Sequence, residues 1–508
     1  MNGPHHARPM DLFRTGCCLL ITATLTACQS QSSGNPDAQA IAQTEQRYGH
    51  YFVRDDAGRA VIFHGLNYIS AAKGDPDRIV PLQQADLDRF SRDWHFNAVR
   101  HLIFWDAVEP EPGAYDDAYL DKVVAQLDQW HSAGVMVIVD MHQDVYSRDF
   151  CCDGAPSWAV RSDGLEFELQ DQWFLNYLEP AVQRAWDNFW LYDQGEHADL
   201  QDHYAAMWQH VAKRLKSHPA VLGYDLMNEP HPGSLFDAAE TLGLDSDTGM
   251  SKKFDTERYG PFLQRMINAV RAVDADSWLF FEPRYGGPGA GEPSYIPALI
   301  DPRQGDPHLF YFPHLYSLNL EARQQYAPGS DHTIDNWQTE RRAELKALGT
   351  PLGLGEFGLD YTWKGAPQFV DELLAMADGM MASWTYWSYD PGGWGLHGHD
   401  TPTGENGSAN ALIRTYPQFV AGTPAAWSYD SVSRSFSLQY AAEALDKPTV
   451  ISVPVRRHYT AGWDVDVQGL QQDHVQTQWF ADTETLAVFY SGEPRMGTVT
   501  ITSRQTQP

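Results

Sequence analysis

Eight short apolar runs, separated by segments with helical periodicity, most constrain how this chain can fold. The runs cover residues 61–69, 96–105, 134–142, 221–228, 277–283, 308–316, 351–358 and 381–389. Segments between them, such as 117–134, 258–274 and 337–349, repeat apolar residues at the spacing of an amphipathic helix. Apolar strands joined by helices are typical of a parallel sheet covered on both faces, and eight of them predict an α/β fold, a closed (β/α)8 TIM barrel. An open doubly wound sheet is the competing topology, but no glycine-rich phosphate turn follows the first run.

The pattern changes after residue 423 to short alternating strands broken by turn residues. Examples are "SFSLQYA" at 435–441, "TLAVFYSG" at 485–492 and "GTVTITS" at 497–503, with no helical segment between them. The sequence therefore predicts a barrel domain over residues 47–423 and a small antiparallel β-sandwich over 424–508. No chemistry of its own is visible in the second domain.

The N-terminus has the layout of a secretory signal peptide over residues 1–27. Polar residues with scattered positive charge precede the apolar stretch 15–27, which is too short to span a bilayer. "LTAC" at 25–28 resembles the lipobox of bacterial lipoproteins, which implies lipidation of Cys28; an ordinary cleaved signal peptide is the alternative. Residues 28–46 then form a polar, flexible tether. We expect an exported protein anchored to the bacterial cell envelope, at the outer membrane in a Gram-negative source, or otherwise a secreted one.

The charge of the chain limits its partners. Lys and Arg number 36 against 67 Asp and Glu, giving a formal net charge of −31. This excess of negative charge argues against nucleic-acid binding and gives no reason to expect strong attraction to anionic lipids. Association with a membrane would therefore come through the lipid on Cys28, and we expect a monomer.

Polar side chains collect at the ends of the predicted barrel strands, where the active sites of this fold lie. They are Asn67, Tyr68, His142, Asp144, Asn228, Glu229, His314, Tyr316, Glu356 and Trp387. Arg100 differs because it lies inside the second apolar run, where a buried guanidinium needs a carboxylate or amide partner.

Two of these residues can form the pair that glycoside hydrolysis requires. Glu229 follows the fourth run and Glu356 ends the seventh, so they face each other across the mouth of the predicted barrel. One carboxyl would protonate the leaving oxygen and the other would attack the anomeric carbon, if the two stand roughly 5 to 5.5 Å apart. The alternative is that each glutamate only caps a turn or a helix.

The motifs around these residues resemble a known family. "NEP" at 228–230 and "GEFG" at 355–358 are similar to glycoside hydrolase family 5 of clan A. More narrowly, "VDMHQDVYSRDF" at 139–150, "DGAPSWAV" at 153–160 and "TYWSYD" at 385–390 resemble the endoglycoceramidase-related group, which hydrolyses the bond between a sugar headgroup and ceramide. The resemblance extends over nearly the whole chain after the tether.

The resemblance implies catalytic and supporting roles. Glu229 would be the acid/base and Glu356 the nucleophile of a retaining reaction. Arg100 would pair with Glu356 and keep it ionised, Tyr316 would lie within reach of the nucleophile, and His314 would support it. No metal and no cofactor is expected, because the histidines and aspartates show no ligand spacing and the chemistry needs none.

The same resemblance implies the substrate-binding residues. Asn228 would bind the sugar 2-hydroxyl, His142 and Asp144 would line the sugar side, and Lys73 would bind headgroup hydroxyls. Trp387 would stack beneath the sugar ring, with a place in the core as the alternative.

Several questions stay open at the level of sequence. The aromatic segments 170–182 and 188–193 predict either an apolar groove for a lipid or an inserted helix packed on the barrel. Cys151 and Cys152 form either a vicinal disulfide or two thiols. The alternative substrates are simple glucosylceramide, a steryl glucoside or a soluble β-glucan. A non-catalytic carbohydrate-binding lipoprotein is disfavoured, because both glutamates are present.

Overall fold

A computed structural model describes residues 52–191, 195–241, 248–392, 394–396 and 404–504. The predicted signal peptide, Cys28 and the tether lie outside the described residues. Among the residues described, no helix combines the length and the apolar character needed to cross a bilayer.

Eight parallel strands form the predicted barrel, each inside one of the eight apolar runs. The sheet order is β8-β7-β6-β5-β4-β3-β10-β9, and a parallel bridge between Tyr311 and Leu352 joins its two edges. The strands are β3 His64–Tyr68, β4 Ala98–Phe104, β5 Met136–His142, β6 Val221–Asp225, β7 Trp278–Phe281, β8 Leu309–Tyr311, β9 Gly353–Leu354 and β10 Ser383–Tyr386. The closed TIM barrel is therefore confirmed, and the open sheet is excluded.

Helices cover the outside of the barrel and include the three predicted amphipathic segments. These three, over Asp117–Ser132, Gly260–Arg271 and Thr333–Leu348, turn their apolar residues inward. In chain order the helices are α1 Gln84–Asp88, α2 Trp105–Val108, α3 Asp117–Ser132, α4 Pro180–Trp190, α5 Leu200–Leu215, α6 Ala238–Thr241, α7 Met250–Phe254, α8 Gly260–Arg271, α9 Leu318–Arg323, α10 Thr333–Leu348, α11 Ala366–Gly379, α12 Ala409–Leu412 and α13 Val455–His458.

Two antiparallel sheets form the C-terminal region. One has the order β1-β2-β11-β14-β17-β16 and the other β12-β13-β18-β15. Their strands are β1 Val53–Arg54, β2 Ala60–Val61, β11 Tyr416–Val420, β12 Gly422–Asp430, β13 Ser435–Ala442, β14 Thr449–Ser452, β15 Trp463–Gln468, β16 Val475–Phe480, β17 Thr485–Tyr490 and β18 Arg495–Ser503.

The boundary between the two domains differs from the one predicted at residue 424. Strand β11 already belongs to the C-terminal sheets, and the N-terminal hairpin of β1 and β2, assigned from sequence to the barrel region, pairs with it. Phe419 lies opposite Val61 in this pairing. Sequence periodicity does not reveal such a pairing, because the partners lie at opposite ends of the chain.

The end of the barrel where the strands begin is closed by packing against these sheets. Phe63, Phe280, Phe310 and Phe312 fill it together with Val53 of the N-terminal hairpin. Polar strand ends are therefore free to form a site only at the opposite, carboxyl end of the barrel.

Candidate active site

Glu229 stands in a strained turn directly after β6. Its φ of +40° lies in the left-handed region, which a non-glycine residue occupies at a cost of about 1 to 2 kcal/mol. The side-chain amide of Gln143 stabilises the turn by donating to the backbone carbonyls of Asn228 and Glu229, both at 2.9 Å. The carboxylate Oε1 lies 2.9 Å from Nδ1 of His314.

Glu356 follows β9 and receives two hydrogen bonds. Nη1 of Arg100 donates to Oε1 at 2.7 Å, and the hydroxyl of Tyr316 donates to Oε2 at 3.0 Å. Nδ1 of His314 lies 3.7 Å from the same Oε2. The carboxylate is thus fixed by side chains from β4 and from the segment after β8.

The two glutamates approach each other across the barrel mouth. One carboxylate oxygen of each and a ring nitrogen of His314 all lie within 4.8 Å of one another. A separation of this size suits a carboxylate pair that acts by direct nucleophilic attack, since a pair that must place a water between them stands about 6.5 to 9.5 Å apart.

Arg100 is the centre of a buried ionic cluster beneath the pair. Its side chain is fully buried and donates to Asp225 at 2.8 Å, Asp140 at 3.0 Å and Asn228 at 2.9 Å, besides Glu356. Glu282 lies 3.5 Å from Nη2. Four acidic groups thus surround one guanidinium, and they cannot all be ionised in a buried environment.

The pKa shifts show which acids of this cluster favour the protonated form. Burial, with the neighbouring Asp140 as a further cause, raises the pKa of Asp225 to about 7. Burial also raises the pKa of Glu282 well above its usual range, and the charge of Asp225 adds to the effect. Protonation of either group lowers the number of negative charges that the single guanidinium of Arg100 has to balance.

The surroundings of Glu229 favour its protonated form. Burial, and next the negative charge of Asp144, raise the pKa of Glu229 from 4.5 to about 7. Burial lowers the pKa of its partner His314 to about 3, so the imidazole is neutral at neutral pH. A carboxyl group with this pKa can donate a proton at neutral pH and take one back later.

Lys73, His142, Asp144 and Trp387 meet on the side of the mouth next to β5 and β10. Lys73 contacts the carboxylate of Asp144 and lies 4.2 Å above the ring of Trp387. His142 stacks on Trp387 with 5.4 Å between ring centroids. Burial acts to raise the pKa of Asp144, but Lys73 and His142 hold it well below its usual range.

His142 is positively charged at neutral pH because of a carboxylate on the same strand. Burial and Lys73 act to lower its pKa, but the carboxylate of Asp140, 2.7 Å from Nδ1, raises it to about 9. Its Nε2 lies 3.8 Å from Oδ2 of Asp144 and makes no hydrogen bond to the residues that the structure describes. The neighbouring ring of Trp387 is partly exposed and lines the cavity.

A cavity of about 770 Å³ extends from the two glutamates to the surface. Its lining includes a polar group, formed by Lys73, His142, Asp144 and Asp153, and a set of apolar residues. The apolar side chains include four that are exposed over 37 to 51% of their surface, which are Trp173, Phe174, Leu175 and Leu178. The cavity therefore offers both polar and apolar contacts to one ligand.

The two aromatic segments predicted from sequence have different surroundings. The first places Trp173 and Phe174 in the cavity wall, as a lipid groove would require. In the second, Phe189 and Trp190 are buried under helix packing. The second segment is therefore packed on the barrel, and a lipid-facing role stays a prediction for the first.

Asn228 is the predicted binding residue that the structure places away from the cavity wall. It is 1% exposed; its Oδ1 accepts from Arg100 and its Nδ2 donates to the carbonyl of Gln143. Its contact with a sugar hydroxyl stays a prediction. The other predicted binding residues, Lys73, His142, Asp144, Tyr316 and Trp387, all line the cavity.

Sequence reasoning missed several acidic residues of the site. Asp140 and Asp225 lie inside apolar runs, as Arg100 does, and the need of Arg100 for a partner could have identified them. Glu282 ends the fifth run and was visible as a polar strand end. Asp153 is the first residue of the "DGAPSWAV" motif, which was used for the family resemblance without a role for this carboxyl.

Two sets of side chains in the described residues bring possible metal-ligand atoms within 4.8 Å of one another. One set is His142, Asp144 and Asp153, and the other Glu229, His314 and Glu356. In the first, Lys73 already neutralises Asp144, and the imidazolium form of His142 does not bind metals. In the second, Arg100 and Tyr316 occupy the oxygens of Glu356. Neither donor set is suited to a cation, and the absence of a metal stays a prediction.

Cys151 and Cys152 form a disulfide at the edge of the cavity. Of the two alternatives, the vicinal disulfide is therefore the one present. It joins two adjacent residues of the loop between Asp144 and Asp153.

Comparisons with known proteins agree with this architecture. The family model "Cellulase (glycosyl hydrolase family 5)" matches residues 56–393, and "Glycoside hydrolase family 5 C-terminal domain" matches 414–502. Endoglycoceramidase I of Rhodococcus hoagii (strain 103S) is 29% identical over 438 residues, covering 84% of this chain and 83% of the relative.

Solved structures have the same fold. Endo-glycoceramidase II from Rhodococcus sp. in complex with ganglioside GM3 is 36% identical with a TM-score of 0.80, over 89% of this chain and 99% of that one. Sterylglucosidase 1 of Cryptococcus neoformans has a TM-score of 0.70 at 16% identity, over 90% of this chain and 96% of that one, and shares the fold alone. With its barrel and its C-terminal domain both matched, the chain belongs to glycoside hydrolase family 5.

Proposed function

We propose that this chain is a retaining endo-glycosidase that hydrolyses the β-glycosidic bond between the sugar headgroup and the ceramide of glycosphingolipids. The observation that carries the proposal is that the glutamate pair lies in one cavity with both polar residues and exposed apolar residues in its lining. A glycolipid needs both kinds of contact, because its scissile bond joins a sugar to a lipid. The relatives named as endoglycoceramidases support this substrate class.

In the first step, Glu356 is the nucleophile and Glu229 the acid. A carboxylate oxygen of Glu356 forms a bond to the anomeric carbon while the bond from that carbon to the ceramide oxygen breaks. Glu229 gives its proton to the departing oxygen, so that ceramide leaves as a neutral alcohol. Arg100 and Tyr316 hold the Glu356 carboxylate in position during the attack.

In the second step, a water hydrolyses the glycosyl-enzyme. Glu229, now ionised, takes a proton from the water as its oxygen attacks the anomeric carbon, and the bond to Glu356 breaks. Two inversions at the same carbon retain its configuration. The contact of His314 with Glu229 fixes the carboxylate in both steps.

The polar wall would bind the headgroup and the apolar wall the lipid. Trp387 would stack beneath the sugar, and His142 and Asp144 would line the same side of the headgroup. Trp173 and Phe174 would contact the ceramide chains. Because these two rings are exposed without a lipid, a bound chain would remove apolar surface from water.

The location of the protein is part of the proposal. Acylation of Cys28 after signal-peptide cleavage would attach a monomer to the cell envelope by a flexible tether. One measurement tests this: labelling with a fatty-acid analogue in the source cell, compared between the native chain and Cys28→Ala. Label on both chains, or on neither, would contradict the anchor.

Hydrolysis of lactosylceramide, glucosylceramide, a ganglioside and a soluble cello-oligosaccharide tests the function. We expect the intact headgroup and ceramide to be released from lactosylceramide, and no such release by Glu356→Ala. Cleavage confined to the cello-oligosaccharide would contradict the proposal, and cleavage confined to glucosylceramide would support the alternative of a simple glucosylceramidase.

A further inference from the structure

Asp153 has a buried carboxyl group that makes no hydrogen bond to any residue the structure describes. Its residue is 1% exposed, it lines the cavity, and neither carboxylate oxygen has a hydrogen-bond partner. Burying an unpaired carboxyl costs several kcal/mol, and such groups are rare in native proteins. The fold therefore holds this group in the wall at a cost in stability.

The backbone around Asp153 is built to place it there. Asp144 and Asp153 form an antiparallel bridge, with both N–H groups donating to the opposite carbonyl at 3.3 Å. Gly154 follows with φ +122°, and a Cβ at that position would lie 2.6 Å from Cβ of Gln143. This glycine allows the loop to return against the strand end, so that Asp153 stands beside Asp144.

The side chains next to Asp153 do not form a hydrogen bond with its carboxyl group, and they are the residues predicted to bind the sugar. Three atoms lie within 4.8 Å of one another here: a carboxylate oxygen of Asp153, a carboxylate oxygen of Asp144 and a ring nitrogen of His142. Lys73 donates to Asp144, and His142 uses Nδ1 for Asp140. Nε2 of His142 faces Oδ2 of Asp144 at 3.8 Å, so among the described residues the carboxyl of Asp153 is left without a hydrogen bond.

We propose that Asp153 is a substrate-binding residue that accepts a hydrogen bond from a hydroxyl group of the sugar headgroup, and so selects for sugars that carry that hydroxyl. The inference rests on the proposed function only for the identity of the sugar. A hydroxyl donor replaces the missing partner of the carboxylate, and a sugar without that hydroxyl leaves the carboxylate unpaired.

The test compares the wild type with Asp153→Ala, on an aryl β-lactoside and on its monodeoxy analogues. Burial, and next the charge of Asp144, raise the pKa of Asp153 to about 7, so the assay is run at pH 8, where the carboxyl is mostly ionised. For one hydroxyl position, removal of the oxygen then lowers kcat/KM of the wild type by about 10- to 100-fold, the range for a hydrogen bond to a charged group. Asp153→Ala has lost the contact already, so it distinguishes the two substrates by less than about twofold. Asp149→Asn is the matched control, an exposed aspartate of the same loop, and it keeps the wild-type discrimination.

Thermal melting distinguishes a binding role of Asp153 from a purely structural one. Since the carboxyl makes no side-chain hydrogen bond to the protein, Asp153→Asn should melt at a temperature no lower than that of the wild type. A fall of Tm together with an equal loss of activity on every analogue would overturn the inference, as would the same discrimination in Asp153→Ala and in the wild type.

Binding without turnover separates this inference from the proposed function. Calorimetry with lactose and the monodeoxy lactoses measures the contact even in a chain that cleaves no glycolipid. Loss of affinity for one deoxy sugar by the wild type, but not by Asp153→Ala, supports the inference even if the glycolipid assay fails. Equal affinities for all the sugars in both proteins would overturn it, whatever the enzyme cleaves.

Discussion

Replacement of Glu229 by Gln tests the assignment of the acid/base and the physical cause of its pKa. With an ordinary pKa of 4.5, about 0.3% of Glu229 would carry a proton at pH 7, whereas with the pKa of about 7 about half does. Burial and the charge of Asp144 thus increase the acid form at neutral pH by about 150-fold.

The sign of the pH dependence follows from the first step, which needs the protonated carboxyl. Above pH 7 the proton is lost, so we expect kcat/KM of the wild type to fall about tenfold per pH unit on a lipid glycoside. Glu229→Gln has no such proton, and it should lose about 10²- to 10⁴-fold in kcat/KM at pH 6.

The assay uses two leaving groups and one control. The dinitrophenolate group of a dinitrophenyl β-lactoside leaves without needing a proton. Glu229→Gln should therefore form the glycosyl-enzyme from this substrate at a rate that does not change between pH 6 and 9. Added azide should then restore turnover, because it attacks the glycosyl-enzyme without a general base. Glu321→Gln is the control, because Glu321 lines the same cavity and burial also raises its pKa to about 7. The reasoning is refuted if the alkaline fall persists in Glu229→Gln or disappears in Glu321→Gln.

Three further predictions concern the surroundings of the pair. Arg100→Met leaves buried carboxylates without a cation and should reduce the free energy of unfolding by about 3 to 5 kcal/mol in urea denaturation, with Arg100→Lys less affected. A stability equal to that of the wild type would contradict the ionic cluster. The double change of Trp173 and Phe174 to Ser should lower kcat/KM about tenfold on lactosylceramide but not on an aryl lactoside, while Val432→Ser, an exposed apolar residue of the C-terminal sheets, changes neither. Loss on both substrates would contradict a lipid-binding wall. EDTA should leave the rates unchanged, and a loss that added metal restores would contradict the absence of a metal.

The sequence predicts those parts of the site that depend on strand order. Glu229 and Glu356 follow the fourth and seventh apolar runs, and the closed barrel brings them together without any further information. The need of Arg100 for a partner was also visible, because a guanidinium inside a buried strand cannot stay unpaired.

Features that depend on loops and on distant pairings were not predictable. The positive φ of Glu229 results from contacts of Gln143, which periodicity does not encode. The pairing of Val61 with Phe419 joins the two ends of the chain, and the unpartnered carboxyl of Asp153 depends on how a loop returns past Gly154. Local patterns carry no signal for such contacts.

The central claim, that Glu356 is the nucleophile of a retaining reaction, is tested most directly by trapping the intermediate. Incubation with a 2-deoxy-2-fluoro β-lactoside that carries a good leaving group, followed by peptide mass spectrometry, should find one fluorolactosyl group on Glu356, and none on Glu356→Ala. An adduct on another residue, or a product of inverted configuration from a natural substrate, would contradict the account.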